Sequence, residues 1–254
     1  MLFFKSTITQ LQISQPFITT TSTTTVTAEQ SMNSAVESSL LSKLQSSADL
    51  ADIYTLFSSY LHPFKPHLAP KKPSPRPPKT LETTTIRSLA MQFLPFLNNS
   101  ISFLPKRLSS EAQATSPNKI SRDSAFKLFD VYRLCLNCLH LVSSQLECKT
   151  YAIYLQQLRL VHCLEAWELY KGAETECFSV LDGLRGINSG KSGAKFKKLL
   201  LPRLDEEDAD QLFAGLVVET VVRLTKCALV NQSKDGNDYK RVIALIHEAT
   251  PWFE

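Results

Sequence analysis

The chain has 254 residues, of which 43% are hydrophobic and 20% charged, and its formal net charge is only +4. This length suffices for one or two ordinary domains with a sizeable core. No apolar run approaches the roughly 18 residues that a membrane span requires, so we expect no membrane partner. The seven glycines are too few for many strands joined by tight turns, and the composition therefore favours helix.

The basic residues are concentrated in two stretches. Residues 65–79 hold five basic residues and no acid, and residues 191–203 hold five more, directly before an acidic run at 205–210. Such patches could serve nucleic-acid binding. A solvated linker followed by an acidic helix start explains them better, and we expect no direct contact with nucleic acid.

The first 31 residues differ from the rest, because they are rich in Thr and Ser and hold one Lys and one Glu. A transit peptide would be acid-poor and Ser-rich but also rich in Arg, and this segment has none. The alternative is an extension in front of a true start at Met32. In either case we expect residues 1–31 to be disordered.

Four segments are predicted along the chain: the extension at 1–31, N-terminal helices at 32–61, a Pro-rich basic linker at 62–80, and a helical repeat-like domain at 81–254. A first helix follows Ser34, and Asp49 can cap a second. Seven prolines between Pro63 and Pro78 predict an extended linker. The next helix should kink or break at Pro95 and stop at Pro105.

The strongest periodic signal is an apolar seam with alternating spacings of four and three residues, typical of a buried helix face. Its members are Leu128, Tyr132, Cys135, Leu139, Val142 and Leu146. A second helix follows with Tyr151, Leu155, Leu158, Val161 and Leu164, and a third with Ala173, Cys177, Val180, Leu181 and Leu184. We predict the turn between these two helices at Lys171-Gly172.

Beyond a Gly/Lys-rich loop at 186–203, Asp205 should cap a long helix, because acidic residues suit its positive end. One face of that helix is apolar: Phe213, Leu216, Val217, Val221, Leu224 and Ala228. A turn at 234–237 and a short helix with Val242, Ile243, Leu245 and Ile246 close the chain. Its last residues are bulky and apolar, which suggests a piece of a longer protein.

One helical hairpin carries residue types that suit a tetratricopeptide repeat at matching places: Leu164, Ala166, Tyr170, Gly172 and Phe178. No second copy recurs at a fixed period. The predicted fold is therefore all-α, an irregular α-solenoid of degenerate helical hairpins.

Three motifs point to chemistry, and each lacks the context that its chemistry needs. Residues 186–192 resemble a P-loop, but they have one residue too few between the glycines and follow a helix instead of a strand. Cys135 and Cys138 have metal-site spacing, yet zinc needs two further ligands, and His140 points away from the seam. His162 and Cys163 are neighbours on one helix, so their side chains should diverge. We predict no catalytic, cofactor-binding or metal-binding residue.

The six cysteines show no disulfide framework, and we find no secretory signal, which indicates a reducing, intracellular compartment. Five of them lie on apolar helical faces, where a free Cys acts as a small hydrophobic residue.

Two segments, residues 40–64 (LLSKLQSS…SSYLHPF) and 130–185 (DVYRLCLNCL…RLVHCLEA…FSVLDGLR), resemble the N-terminal region of separases, most closely the plant form. The resemblance covers residues 32–254. It implies a long N-terminal α-solenoid that precedes a caspase-like cysteine protease domain in a much larger protein. In that family the protease cleaves the kleisin subunit of cohesin so that sister chromatids part, and the solenoid binds the inhibitor securin and positions the protease.

No segment of this chain corresponds to the protease domain, so no catalytic residue is carried over from the family. The resemblance implies a scaffold in the cytoplasm and nucleus, whose partners are a securin-like inhibitor and the remainder of a separase chain. A stand-alone adaptor of tetratricopeptide type is the alternative. For an acidic, disordered partner the most concentrated positive charge in the sequence is a basic patch formed by Lys191, Lys195, Lys197 and Lys198.

Overall fold

The computed structural model describes residues 28–46, 50–68, 79–114, 120–145, 151–188 and 206–231, together with residues 240, 243, 244, 246 and 247. Within these ranges the chain forms eight α-helices and no strand, which confirms the all-α prediction. The helices are α1 (Ala28–Gln45), α2 (Ile53–Tyr60), α3 (Lys65–Leu68), α4 (Lys79–Gln113), α5 (Arg122–Gln145), α6 (Tyr151–Ala166), α7 (Tyr170–Asn188) and α8 (Glu206–Asn231).

From α4 onward the helices alternate between two layers. Each helix packs on the next in sequence, and α4 also packs on α6, while α6 packs on α8. Helices α4, α6 and α8 therefore form one layer, with α5 and α7 beside them in the other. In an α-solenoid, helices stack in two layers and each repeat contacts its neighbours, as these helices do. At the N-terminal end, α1 and α2 pack on each other. Helix α1 also packs on α4, and α2 also packs on α5.

The predicted seam lies in the core. All its members within the described residues are buried: Leu128, Tyr132, Cys135, Leu139 and Val142. The apolar faces predicted for α6, α7 and α8 are buried as well, except for Leu155, which is partly exposed. Hydrophobic periodicity thus located the inner faces correctly, because burial of these stripes is the main stabilising contribution in a helix array.

Two predicted boundaries near the N-terminus differ from the structure. Helix α1 begins at Ala28, so the last four residues of the expected extension are helical. The predicted linker also begins too early, because residues 62–68 form a 3-10 turn (His62–Phe64) and α3. Phe64 explains this difference, since its ring is buried 5.4 Å from the ring of Phe93 on α4.

The prediction of a stop at Pro105 was wrong, and Pro95 does not break the helix, because α4 runs without interruption from Lys79 to Gln113. Each proline removes one backbone hydrogen bond from the helix. Apolar side chains on both sides of each proline are buried against the core, among them Phe93, Phe96 and Leu104. Tertiary packing therefore outweighs the local preference.

The turn between α6 and α7 also differs from the prediction. It lies at Trp167–Leu169, and Gly172 belongs to the first turn of α7. The Leu169 amide donates to the Leu164 carbonyl (2.8 Å) and the Glu168 amide to the Glu165 carbonyl (3.0 Å). This pair of bonds is a Schellman motif, in which the residue at the position of Glu168 is usually Gly. Glu168 instead adopts that left-handed conformation itself, with φ of 58°.

Several predicted features lie outside the described residues. They are the caps at Asp49 and Asp205, the seam residue Leu146, the turn at 234–237 and the last apolar positions, Val242 and Leu245. Of the short helix at the end, Ile243 and Ile246 are described and exposed.

Candidate protein-interaction surfaces

The basic patch proposed from the sequence lies outside the residues that the structure describes, since Lys191, Lys195, Lys197 and Lys198 all fall between α7 and α8. Its role in partner binding stays a prediction. The described residues offer two other surfaces, which depend on how rigidly α5 to α8 are held together.

Helices α6 and α8 are joined by a network of charges centred on Glu165, whose side chain is only 5% exposed. Its Oε2 atom accepts from Arg223 Nη1 at 2.8 Å and from Lys226 Nζ at 2.9 Å. Arg223 Nε also donates to Glu219 at 2.7 Å, and His162 Nε2 lies 3.1 Å from the same Glu219 oxygen. A nearly buried carboxylate needs such partners, because an unpaired buried charge is strongly destabilising.

The same network changes the acidity of Glu219. The hydrogen bond from His162 lowers the pKa of this carboxyl to about 2, with Arg223 acting in the same direction and burial opposing both. Glu219 is therefore ionised throughout the physiological range and fixes His162 and Arg223 between the two helices.

A second polar network joins α5, α6 and α7. Glu176 accepts from Arg133 Nε (2.8 Å) and from Gln157 Nε2 (3.0 Å), and the Gln157 amide oxygen lies 3.3 Å from His140 Nε2. Because an amide oxygen can only accept, His140 must donate from Nε2. Burial lowers the pKa of His140, so the ring is neutral in this network. The three helices are thus held in one register by groups that each have a partner.

The cysteine motifs are part of the core. Cys135 and Cys138 are buried, and burial raises the pKa of both thiols, that of Cys138 to about 12. Within the described ranges, no group of three or more His, Cys, Asp or Glu side chains could hold a metal ion. Cys148 and most of the P-loop-like segment lie outside these ranges, and Gly186 lies in α7.

The expected divergence of His162 and Cys163 is confirmed. His162 faces Glu219 on α8, whereas the Cys163 thiol is buried and donates to the Pro105 carbonyl of α4 at 3.6 Å. These neighbours cannot act as a nucleophile and its base.

The first candidate surface is a pocket at the turn between α6 and α7, which we call the turn pocket. Its volume is about 290 Å³. Helices α5 to α8 all contribute to its lining, which combines apolar side chains with charged ones. Phe126, Leu164 and Tyr170 form apolar walls, and Arg133, Glu168 and Lys171 supply the charges.

The second candidate surface is the outer stripe of α8, formed by Gly215, Val222 and Leu229. These residues recur every seven positions on the helix face opposite the core. Val222 is 49% and Leu229 46% exposed, and a Cβ placed on Gly215 would have no atom of the described residues within 4 Å. Since the opposite face of α8 is buried, the helix is apolar on both sides. Such a helix is normally covered on both sides.

Sequence reasoning missed both surfaces. The seven-residue spacing of Gly215, Val222 and Leu229 is present in the sequence. The core-facing side of the same helix contains more apolar residues, so the periodicity indicated only that side. The sequence contains no signal for the turn pocket. The pocket lies at a turn where Glu168 adopts a left-handed conformation, a position where Gly is usual, whereas the sequence predicted the turn at Lys171-Gly172.

No helix in the described part of the chain has the length and apolar character that a bilayer crossing demands. The family model described as "Separase-like, TPR repeats" matches residues 37–254, which is most of the chain. No curated protein and no solved structure matches it. The stacked helical hairpins of α4 to α8 are the architecture that this description names. The chain therefore belongs to the separase-like family and corresponds to its N-terminal tetratricopeptide repeat region.

Proposed function

We propose that this chain is the N-terminal scaffold of a separase-like cysteine protease, which cleaves cohesin and so permits sister chromatids to separate. In this role it catalyses nothing itself. It binds the remainder of a separase chain and a securin-like inhibitor, in the cytoplasm and nucleus. The family match over residues 37–254 is the observation that carries the proposal.

The outer stripe of α8 supports the proposal for the partner chain. In a solenoid, each repeat is stabilised by its neighbours, and a terminal repeat that ends the array needs a polar outer face. Helix α8, the last long helix in the described part of the chain, presents Val222 and Leu229 instead, and no atom of that part lies within 4 Å of a Cβ on Gly215. We infer that a further helix of the separase remainder packs there, with Gly215 allowing close approach.

A scaffold that positions a distant protease must be rigid. The two polar networks support rigidity, because they connect helices α5 to α8 through hydrogen bonds and ion pairs. Glu165 binds Arg223 and Lys226 of α8, and Glu176 binds Arg133 of α5. Each contact joins residues more than 40 positions apart in sequence. Helices α5 to α8 should therefore move as one body when a partner binds.

Reconstitution tests the proposal. The protease-containing remainder of the cognate separase is purified with and without this chain added as a separate polypeptide, and cleavage of a cohesin kleisin subunit is measured. We expect the chain to co-purify with the remainder and to raise the cleavage rate, because positioning a substrate and a protease lowers the entropic part of the barrier. A chain that neither co-purifies nor changes the rate would favour the stand-alone adaptor.

A further inference from the structure

The charged side chains in the second half of α8 already have partners on α6 or on α8 itself. Glu219 accepts from Arg223 Nε at 2.7 Å. Arg223 Nη1 and Lys226 Nζ donate to Glu165 of α6 at 2.8 Å and 2.9 Å. Two carboxylates therefore face two cations, and apart from the adjoining His162 their charges cancel. Little charge remains there to attract an ion or a charged peptide.

The uncharged polar side chains of this half are bonded within the fold as well. Thr220 and Thr225 each donate to the backbone carbonyl four residues earlier, at 2.6 Å and 2.9 Å. Asn231, the last residue of α8, donates to Glu174 of α7 at 3.0 Å. Residues 219–231 thus offer a partner few polar groups that are not already used.

The surface that this half of α8 exposes is mainly apolar. Val222 is 49%, Leu229 46% and Val230 53% exposed. Lys226 lies one turn after Val222, and since its ammonium group binds Glu165, its aliphatic stem adds to the apolar surface. A partner that covers this face therefore gains free energy by burying apolar area and not by pairing charges.

The spacing of the outer stripe indicates how a partner helix can lie on it. Gly215, Val222 and Leu229 are seven residues apart, and a period of seven keeps a stripe nearly parallel to the helix axis. From Gly215 to Leu229 the helix rises about 21 Å. A helix of about four turns that crosses α8 at a shallow angle of about 20° can cover this length.

We propose that the partner of the outer stripe is a long helix of the separase remainder, which runs along α8 and meets it with an uncharged apolar face. The inference rests on the proposed function, in which the separase remainder packs on this stripe. It adds the chemistry of the contact, which depends on apolar burial and is insensitive to salt. An acidic inhibitor at the basic patch would behave in the opposite way, because salt screens exposed charge pairs.

Charges of both signs placed on the stripe test this proposal. The full chain is titrated with the protease-containing remainder of the cognate separase by isothermal titration calorimetry, and Leu229→Lys and Leu229→Glu are compared with the unmodified chain. Both variants should bind at least about tenfold more weakly and by similar factors, because a charge of either sign would be buried without a partner. Thermal melts check that both variants keep the fold. Met91→Lys and Met91→Glu place the same charges on a side chain of α4 that is 80% exposed, and should bind normally.

Salt provides a second measurement on the unmodified chain. The titration is repeated at about 0.1 M and about 1 M NaCl, where the Debye length is about 10 Å and about 3 Å. We expect the affinity to change by less than about twofold, since no charge pair in the contact is screened. The heat capacity change of binding should be negative, as apolar burial requires.

The outcomes separate this inference from the proposed function. If the remainder does not bind the unmodified chain, the proposed function fails and the inference fails with it. If it binds, but one sign of charge at Leu229 is tolerated or the affinity falls about tenfold at high salt, charged groups form the contact and only the inference fails. Binding that neither variant weakens would overturn the inference too, because the stripe would not be the contact surface.

Discussion

Two helical glycines have opposite surroundings, although both lie inside long helices. A Cβ on Gly183 of α7 would lie 2.6 Å from the Tyr154 hydroxyl oxygen of α6, so the absence of a side chain lets these helices approach closely. A Cβ on Gly215 of α8 would meet no atom within 4 Å in the part of the chain that the structure describes. The sequence alone does not separate these cases, because both glycines interrupt an amphipathic helix in the same way.

The first prediction contrasts these positions. Gly215→Ala should stabilise the isolated chain by about 0.5–1 kcal/mol, because Ala is the better helix former. Gly183→Ala should destabilise it by about 1–3 kcal/mol, because Tyr154 must leave its place against His140. Urea denaturation of both variants measures the two free energies. Equal signs would show that α6 and α7 do not approach as described.

The second prediction concerns Glu168. Glu168→Gly should stabilise the chain by about 0.5–1 kcal/mol, since Gly adopts the left-handed conformation of a Schellman motif without the cost of a Cβ. Glu168→Ala, which keeps that cost, is the matched control and should not stabilise. Thermal melts compare the two variants. A Gly variant less stable than the Ala variant would mean that residue 168 does not have positive φ.

At the scale of single elements, periodicity predicted the inner face of each helix but not the helix ends. The seam on α5 and the faces of α6 to α8 were found because burial imposes one period along a whole helix. The path of α4 through Pro95 and Pro105 and the turn at Trp167–Leu169 were missed. They depend on packing against helices that are distant in sequence, and a local window cannot contain that information.

The third prediction tests burial of the α5 seam. Leu139→Ala should cost about 2–5 kcal/mol, because Leu139 is 5% exposed and its loss leaves a cavity. Asn137→Ala, two residues away on the exposed face, should cost about 0.5 kcal/mol or less. Chemical denaturation of both variants gives the comparison. Identical midpoints would place Leu139 outside the core.

The fourth prediction concerns the contact between α6 and α8. The pKa of Glu219 is lowered from 4.5 to about 2 in the folded chain, chiefly by the hydrogen bond from His162. Because the folded pKa lies below the unfolded one, this stabilisation is complete above about pH 4.5 and is lost as the pH falls toward 2. Glu219→Gln should remove about 2 kcal/mol at neutral pH and flatten the acid part of the stability curve.

Glu168→Gln is the control for this titration, since Glu168 is exposed and forms no ion pair in the part of the chain described. Stability measured between pH 2 and pH 7 should have the wild-type profile in this variant. If Glu219→Gln left the pH dependence of the free energy of unfolding unchanged, the charged groups between α6 and α8 would not contribute to stability as described.

At the scale of the whole molecule, the fold class and the family were accessible from the sequence, but the interaction surfaces were not. The resemblance in residues 40–64 and 130–185 indicated a separase-like solenoid, and the family match over residues 37–254 confirms it. The polar networks were hidden, because Glu165 and Arg223 are 58 positions apart and no helical period relates them. The basic patch was visible as a run of lysines, and its role stays a prediction.

The outer stripe of α8 is where the assembly proposed for this chain can be tested most directly. Affinity of the chain for the protease-containing remainder is measured by isothermal titration calorimetry, with Val222→Lys/Leu229→Lys compared with Met91→Lys as an exposed control. We predict that the double variant melts like the unmodified chain and binds at least about tenfold more weakly, because two lysines would be buried without partners. The control should bind normally. Binding unchanged by the double substitution would contradict the assignment of α8 as the helix on which the next part of a separase packs.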